Sequence, residues 1–281
     1  MVERTVTVDG ITGTESQVKE ALAERDAGKE AYRFSESTRT QEEQSYSGQM
    51  EQFITDAPFS NYEKMQNFPL FTARQDLTRY LTKVEIFKRV LNVQGSIVEC
   101  GVLFGGGLMW WAHLSAIMEP VNMQRQIIGF DTFDGIDELA PEDMVAGKSD
   151  EAKIDGFKVD SKATLERAIE LYDKNRTIGH IPKIEIVAGD ACETIPDYLE
   201  ANPHLLVSLL YLDFDIYAPT KTAIQYLAPR MPKGAVIAFD ELNLRAWPGE
   251  TQAVLEHIDI NELKVERLPW GGSISFAVLG E

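Results

Sequence analysis

Apolar and polar positions along this chain repeat with two different periods, and the switches between them outline a succession of helices and strands. From Thr72 the pattern is helical: Leu77, Leu81, Val84, Phe87 and Leu91 recur at helical spacing behind Thr72-Ala-Arg-Gln75, which has the form of a capping box. Short apolar runs follow. Ser96 to Cys100, Ile127 to Phe130, Ile184 to Ala188, Val207 to Leu212 and Ala235 to Phe239 read as strands, and the near-continuous apolar run of Val207 to Leu212 predicts burial on both faces. Helices are predicted from about Leu108 to Met118, from Lys162 to Tyr172, behind a second capping-box sequence at Asp190-Ala-Cys-Glu193, and around Pro219, placed near a first turn. Strands alternating with helices make βαβ units and a parallel, doubly wound α/β sheet. The alternation then breaks: Leu263 to Leu268 and Ser273 to Leu279 flank Pro269-Trp-Gly-Gly272 as an antiparallel hairpin.

Composition narrows the picture. The chain has 281 residues, 44% of them hydrophobic, enough for one large domain or two small ones with sizeable cores. Its 45 acidic and 27 basic side chains leave a net charge of −18, which excludes nucleic acid and anionic membrane as partners, since no run of clustered Lys and Arg offsets it. Residues 1–60 carry 12 acidic and 6 basic side chains, and residues 131–173 carry 13 and 5. Residues 1–67 accordingly read as a polar N-terminal arm or helical lid, with Arg33 to Gln49 too polar to bury itself. Residues 68–281 read as the catalytic domain, with a 132–160 loop insertion too rich in Asp, Gly and Pro for a regular element. Two cysteines without paired spacing, no long apolar segment and no signal-peptide pattern predict a soluble cytoplasmic protein.

Two constellations carry candidate chemistry. Glu99-Cys-Gly101-Val-Leu-Phe-Gly105-Gly-Gly107 lies between a strand and a helix, where open α/β sheets bind nucleotide-bearing cofactors, and Asp131 at the end of the next strand is placed to accept from both ribose hydroxyls. The glycine spacing does not meet the dinucleotide fingerprint. The Asp190-Ala191 turn reads either as a helix cap or as an adenine contact, and Thr72 joins the candidate cofactor contacts. In the second constellation Asp213 and Asp215 end one strand and Asp240 and Glu241 end the next. Anions converging from neighbouring strand tips call for a cation between them, and carboxylate oxygens suit Mg²⁺ or Mn²⁺. The four histidines have no zinc-like spacing.

Four motifs in order, IVECGVLFGGG from Ile97, GFDTFDG from Gly129, D-x-D-x-Y from Asp213, and FDELN followed by Pro248-Gly-Glu-Thr251, resemble the macrocin and mycinamicin type of sugar O-methyltransferase, a family that also includes the novobiocin noviose enzyme. The resemblance runs from about Phe68 onward. It implies the Rossmann-like class I methyltransferase fold, with helices on both sheet faces, and Mg²⁺-dependent transfer from S-adenosylmethionine to a sugar hydroxyl. Asp213, Asp240 and Glu241 would be metal ligands and Asp215 the general base; Asp213, Glu99, Gly101, Asp131, Asp190, Ala191 and Thr72 would line the cofactor. One departure stands out, since relatives commonly carry two aspartates where this chain has Asp240-Glu241. The expected partner is a small sugar or glycoside, and relatives imply a homo-oligomer. Trp110 and Trp111 are predicted to be core, Trp247 or Trp270 to offer the sugar an aromatic face, and the arm and loop to close over it. A catechol-type O-methyltransferase and a Rossmann-type NAD-binding oxidoreductase are the competing readings.

Overall fold

The computed structural model describes residues 5–8, 11–14, 17, 40–145 and 153–280, and these divide into two compact units, residues 1–47 and 48–281. In the first unit β1 (Thr5–Val8) pairs antiparallel with β2 (Ile11–Thr14), Thr5 opposite Thr14 and Val8 opposite Ile11. All eight residues but Gly13 are β-branched, and Asp9-Gly10 lies between them in the sequence, a strand and turn signal that the polar composition of the region obscured. Helix α1 (Gln41–Asp56) begins within the stretch predicted to be a polar arm. Thr40 accepts from the Glu43 amide while Glu43 accepts from the Thr40 amide, so a capping box starts a helix that composition alone would not support. Residues 18–39 of the expected arm, and residues 146–152 of the 132–160 loop, lie outside the described residues.

The second unit continues with α2 (Asn61–Gln66), α3 (Arg74–Val90), β3 (Ser96–Cys100), α4 (Gly106–Met118), β4 (Ile127–Asp131), α5 (Lys162–Lys174), β5 (Ile184–Ala188), α6 (Ala191–Ala201), β6 (Val207–Leu212), α7 (Tyr217–Leu227), β7 (Val236–Phe239), α8 (Pro248–His257), β8 (Glu266–Arg267) and β9 (Ser275–Val278). The strands form one seven-stranded sheet in the order β5-β4-β3-β6-β7-β9-β8, parallel except for β9, which runs antiparallel to both of its neighbours. The C-terminal hairpin is therefore present, with β8 much shorter than the run that predicted it.

Side chains alternate across the sheet and define two cores. Ile97, Ile127, Leu209, Tyr211, Val236, Ala238 and Phe276 face α3, α4 and α5. Val98, Cys100, Ile128, Phe130, Leu210, Leu212, Ile237 and Phe239 face α6, α7 and α8. All six residues of β6 are buried, as its apolar run predicts. The predicted stripe on α3 is displaced: Leu81 is 58% exposed, whereas Thr82, Lys83, Ile86, Phe87 and Val90 are buried. No helix of the described residues is long and apolar enough to cross a membrane.

Candidate active site

The register of the three central strands aims the acidic residues. Glu99, Tyr211 and Ala238 are register partners on β3, β6 and β7, so Asp213 and Asp240, two residues beyond on β6 and β7, leave the sheet on the α3 face with Glu99. The ladder extends past the strand ends, the Asp213 amide donating to Cys100 O (2.8 Å) and the Asp240 amide to Leu212 O (3.0 Å). Glycine at 101 is required by this approach: its φ is 94°, and a Cβ there would lie 1.9 Å from Asp213 O.

Around the first constellation, Glu99 is buried and its Oε1 accepts from Lys83 Nζ at 2.7 Å. The Lys83 ammonium lies over the rings of Tyr211 (3.9 Å) and Trp111 (4.9 Å). Glu99 Oε2 is buried with no hydrogen-bond partner, and burial pushes the carboxyl up against the pull of Lys83. Asp131, expected to face a ribose, accepts from three backbone amides: Val102 and Leu103 on one oxygen and Phe133 on the other, each at 2.7 Å. It thereby ties the glycine turn to the end of β4, and its remaining lone pairs are what a ribose could use.

The predicted capping box at Thr72 is not formed. Its hydroxyl donates to Phe68 O (2.8 Å) in the preceding 3₁₀ turn, and the N-cap of α3 is Ala73, which offers no side-chain hydrogen bond. Asp190 does cap α6, accepting from the Cys192 amide at 2.8 Å, and Ala191 packs into the core beneath it. Trp111 is fully buried and Trp110 partly so, as expected of core residues. Trp247 is buried against Ile136 and Phe157, so it offers no free aromatic face; Trp270 is 52% exposed.

In the second constellation, Asp213, Asp215 and Glu241 each present a carboxylate oxygen, and these oxygens lie within 4.8 Å of one another. Asp215 reaches the cluster from a left-handed backbone (φ 65°), a conformation that Asp tolerates better than most residues. Asp240 lies beside them, next to the Glu241 carboxyl. Its Oδ1 accepts from the Tyr211 hydroxyl and lies 3.0 Å from Arg79 Nη2, which is also 2.6 Å from Asp213 Oδ2. Asp213 and Glu241 of the predicted ligand trio are thus brought together with Asp215, and Asp240 stands beside them, its charge acting on all three.

Glu250, which the sequence offered only as part of the Pro248–Thr251 motif, is fully buried on α8; its Oε1 accepts from the Glu241 amide at 3.1 Å and its Oε2 has no partner. Glu241 Oε2 is likewise buried without one. Burial first, and then the Asp240 charge, hold the carboxyls of Asp213, Glu241 and Glu250 well above the usual range and push Asp215 up to about 7. Asp240 alone is held below it: burial opposes ionisation, but Arg79 and the hydrogen bonds Asp240 accepts outweigh it. From the opposite side Asp143, a buried residue of the 132–160 loop, accepts from the Tyr217 amide at 2.7 Å and fixes the turn that carries Asp215 to the start of α7.

Arg79 and Lys83 also went unread, although a signal existed. Positions 79, 83, 86, 87 and 90 form one helical face, and following the buried Ile86, Phe87 and Val90 back toward the start of α3 lands on both cations.

A mostly parallel sheet closed by an antiparallel strand, with a glycine turn beyond its central strand and carboxylates at the tips of the next two, defines an S-adenosylmethionine-dependent O-methyltransferase. A family model for macrocin-O-methyltransferase matches residues 25–267. The chain belongs to this macrocin-O-methyltransferase family. Among solved structures it is similar to the calicheamicin methyltransferase CalS11, with 31% identity, a TM-score of 0.81, and coverage of 90% of this chain and 96% of that one. A second structure of CalS11, described as a TDP-rhamnose 3′-O-methyltransferase in apo form, gives 30% identity and a TM-score of 0.74 over 90% of this chain and 99% of that one. The O-methyltransferase NovP shares the fold at 19% identity, with a TM-score of 0.53 over 73% of this chain and 81% of that one. A comparison with curated protein sequences gives no match.

Proposed function

We propose that this enzyme methylates a hydroxyl of a deoxysugar, presented as a nucleotide sugar or a natural-product glycoside, and that a divalent cation, Mg²⁺ or Mn²⁺, serves the carboxylate cluster. The observation that carries the reading is the convergence of Asp213, Asp215 and Glu241 within 4.8 Å at the tips of adjacent strands. The residues fit such an ion: the donors are hard carboxylate oxygens, and Glu241 Oε2 is buried without a hydrogen-bond partner. Names of the similar proteins support the acceptor class, CalS11 being described as acting on TDP-rhamnose.

A cation bound there would stabilise negative charge developing on the acceptor oxygen. Asp215, whose carboxylate lies within the cluster at the start of α7, would take the proton from the sugar hydroxyl. Glu99, with one oxygen held by Lys83 and the other without a partner, would accept from the ammonium of S-adenosylmethionine. Asp131 holds the glycine turn against which that donor would lie. The neighbouring carboxylates tolerate the sulfonium before transfer.

The test is turnover with S-adenosylmethionine and a panel of TDP-deoxysugars and macrolide glycosides, read as S-adenosylhomocysteine release and a methylated sugar by mass spectrometry. Asp215→Asn is expected to lower kcat by about 10²-fold or more, and EDTA to abolish turnover until Mg²⁺ is restored. Methylation of catechols with none of any sugar would overturn the acceptor class. Full turnover after exhaustive EDTA treatment would overturn the metal.

A further inference from the structure

We propose that Arg79 is a built-in counter-cation of the carboxylate cluster, and that a divalent ion binds by taking Asp213 from it. The inference rests on reading Asp213, Asp215 and Glu241 as a cation site.

Five carboxyl groups, those of Asp213, Asp215, Asp240, Glu241 and Glu250, crowd the tips of β6 and β7, and the ion pair made by Arg79 is what opposes them. A single guanidinium nitrogen, Nη2, serves both Asp213 (2.6 Å) and Asp240 (3.0 Å). The two anchors are unequal. Asp240 is buried and also accepts from the Tyr211 hydroxyl, so its position is set from two sides. Asp213 is partly open, with 17% of its side chain exposed, and presents an oxygen within 4.8 Å of those of Asp215 and Glu241. The Arg79 side chain is itself 41% exposed, which leaves it room to withdraw. Lys83, one turn further along α3, is fully buried and committed to Glu99, so it cannot take over.

A divalent ion and a guanidinium compete for the charge of Asp213, and each weakens the other's hold on it. When the ion enters, the guanidinium gives up Asp213. In the ion-free enzyme it keeps the crowded carboxylates from repelling one another unopposed, so the site is assembled before loading. Arg79 is in this sense a positioning residue, acting through Asp213.

The experiment is calorimetric titration of Mg²⁺ into the full-length, cofactor-free protein, for wild type, Arg79→Gln and Arg79→Lys, with folding checked by circular dichroism. Removing the competing charge is expected to tighten Mg²⁺ binding about tenfold or more in Arg79→Gln, with Arg79→Lys close to wild type because the charge remains. The same Arg79→Gln protein should melt lower than wild type in EDTA and regain most of the difference in Mg²⁺. Wild-type binding that is unchanged or weakened in Arg79→Gln overturns the proposal and leaves the cation site standing. No Mg²⁺ binding by any of the three proteins overturns the cation site and the proposal with it.

Discussion

Lys83 and Glu99 form an ion pair almost wholly removed from water, 1% and 2% exposed, with the ammonium lying over the rings of Tyr211 and Trp111. Burying two charges is costly, and breaking such a pair from one side costs more than replacing both partners. Lys83→Met is therefore expected to destabilise the protein by about 3–5 kcal/mol in urea denaturation, because it leaves Glu99 as an unpaired buried acid. The double variant Lys83→Met, Glu99→Gln should recover most of that stability while losing affinity for S-adenosylhomocysteine by calorimetry. Recovered stability with undiminished affinity would show that Glu99 serves the fold alone. Glu250 poses the same question for the Glu241 backbone: Glu250→Gln keeps an oxygen for the Glu241 amide and should be tolerated, whereas Glu250→Ala leaves that amide unpaired at about 1–3 kcal/mol.

At the scale of elements, the strands were legible because buried parallel strands are short apolar runs, and each ended within a residue or so of its acidic tip: Glu99 in β3, Asp131 in β4, Asp213 after β6, Asp240 after β7. Helix α3 was misread for a physical reason. Two overlapping stripes run along it, and Lys83 fills a buried position that a scale of polarity assigns to solvent. Asp215 was legible as one of the converging acids, but the left-handed backbone that aims it was not, since strand alternation does not predict it. The strand tips also make a prediction about the glycine turn. Gly101→Ala must relieve both a φ of 94° and a Cβ placed 1.9 Å from Asp213 O, so a loss of at least about 2 kcal/mol is expected, read by thermal or urea melting. A melting point within a degree of wild type would mean that β3 and β6 can separate at little cost.

For the whole molecule, acidity has two origins that a net charge of −18 does not separate. Most of the excess lies in residues 1–60 and 131–173, yet the described part of the second stretch is not simply solvated, since Asp143 is buried and tied to α7. The remainder includes the carboxylates at the strand tips, whose crowding makes stability depend on pH. Groups whose folded pKa is raised favour the folded state below their unfolded value and lose that contribution as pH rises through the folded one. Asp215 spans 3.8 to about 7, and Asp213, Glu241 and Glu250 shift the same way, while Asp240 shifts oppositely. In EDTA the melting temperature should therefore be higher at pH 6 than at pH 8, and Mg²⁺ should reduce that difference by favouring the ionised carboxylates. A melting temperature that rises from pH 6 to pH 8 in EDTA would contradict this balance.

Strand β9 lies between β7 and β8, and its residue Ser275 pairs with Phe239, the neighbour of Asp240. Every carboxylate of the cluster is thus synthesised before the strand that completes its supporting sheet. During translation β7 can have only one strand partner until residues 275–278 emerge, and its far edge stays open to water and to other chains. A nascent chain arrested before Ser275 would hold all the acids on a sheet whose β7 edge is still unpaired, so full stability of the site should arrive late in biosynthesis.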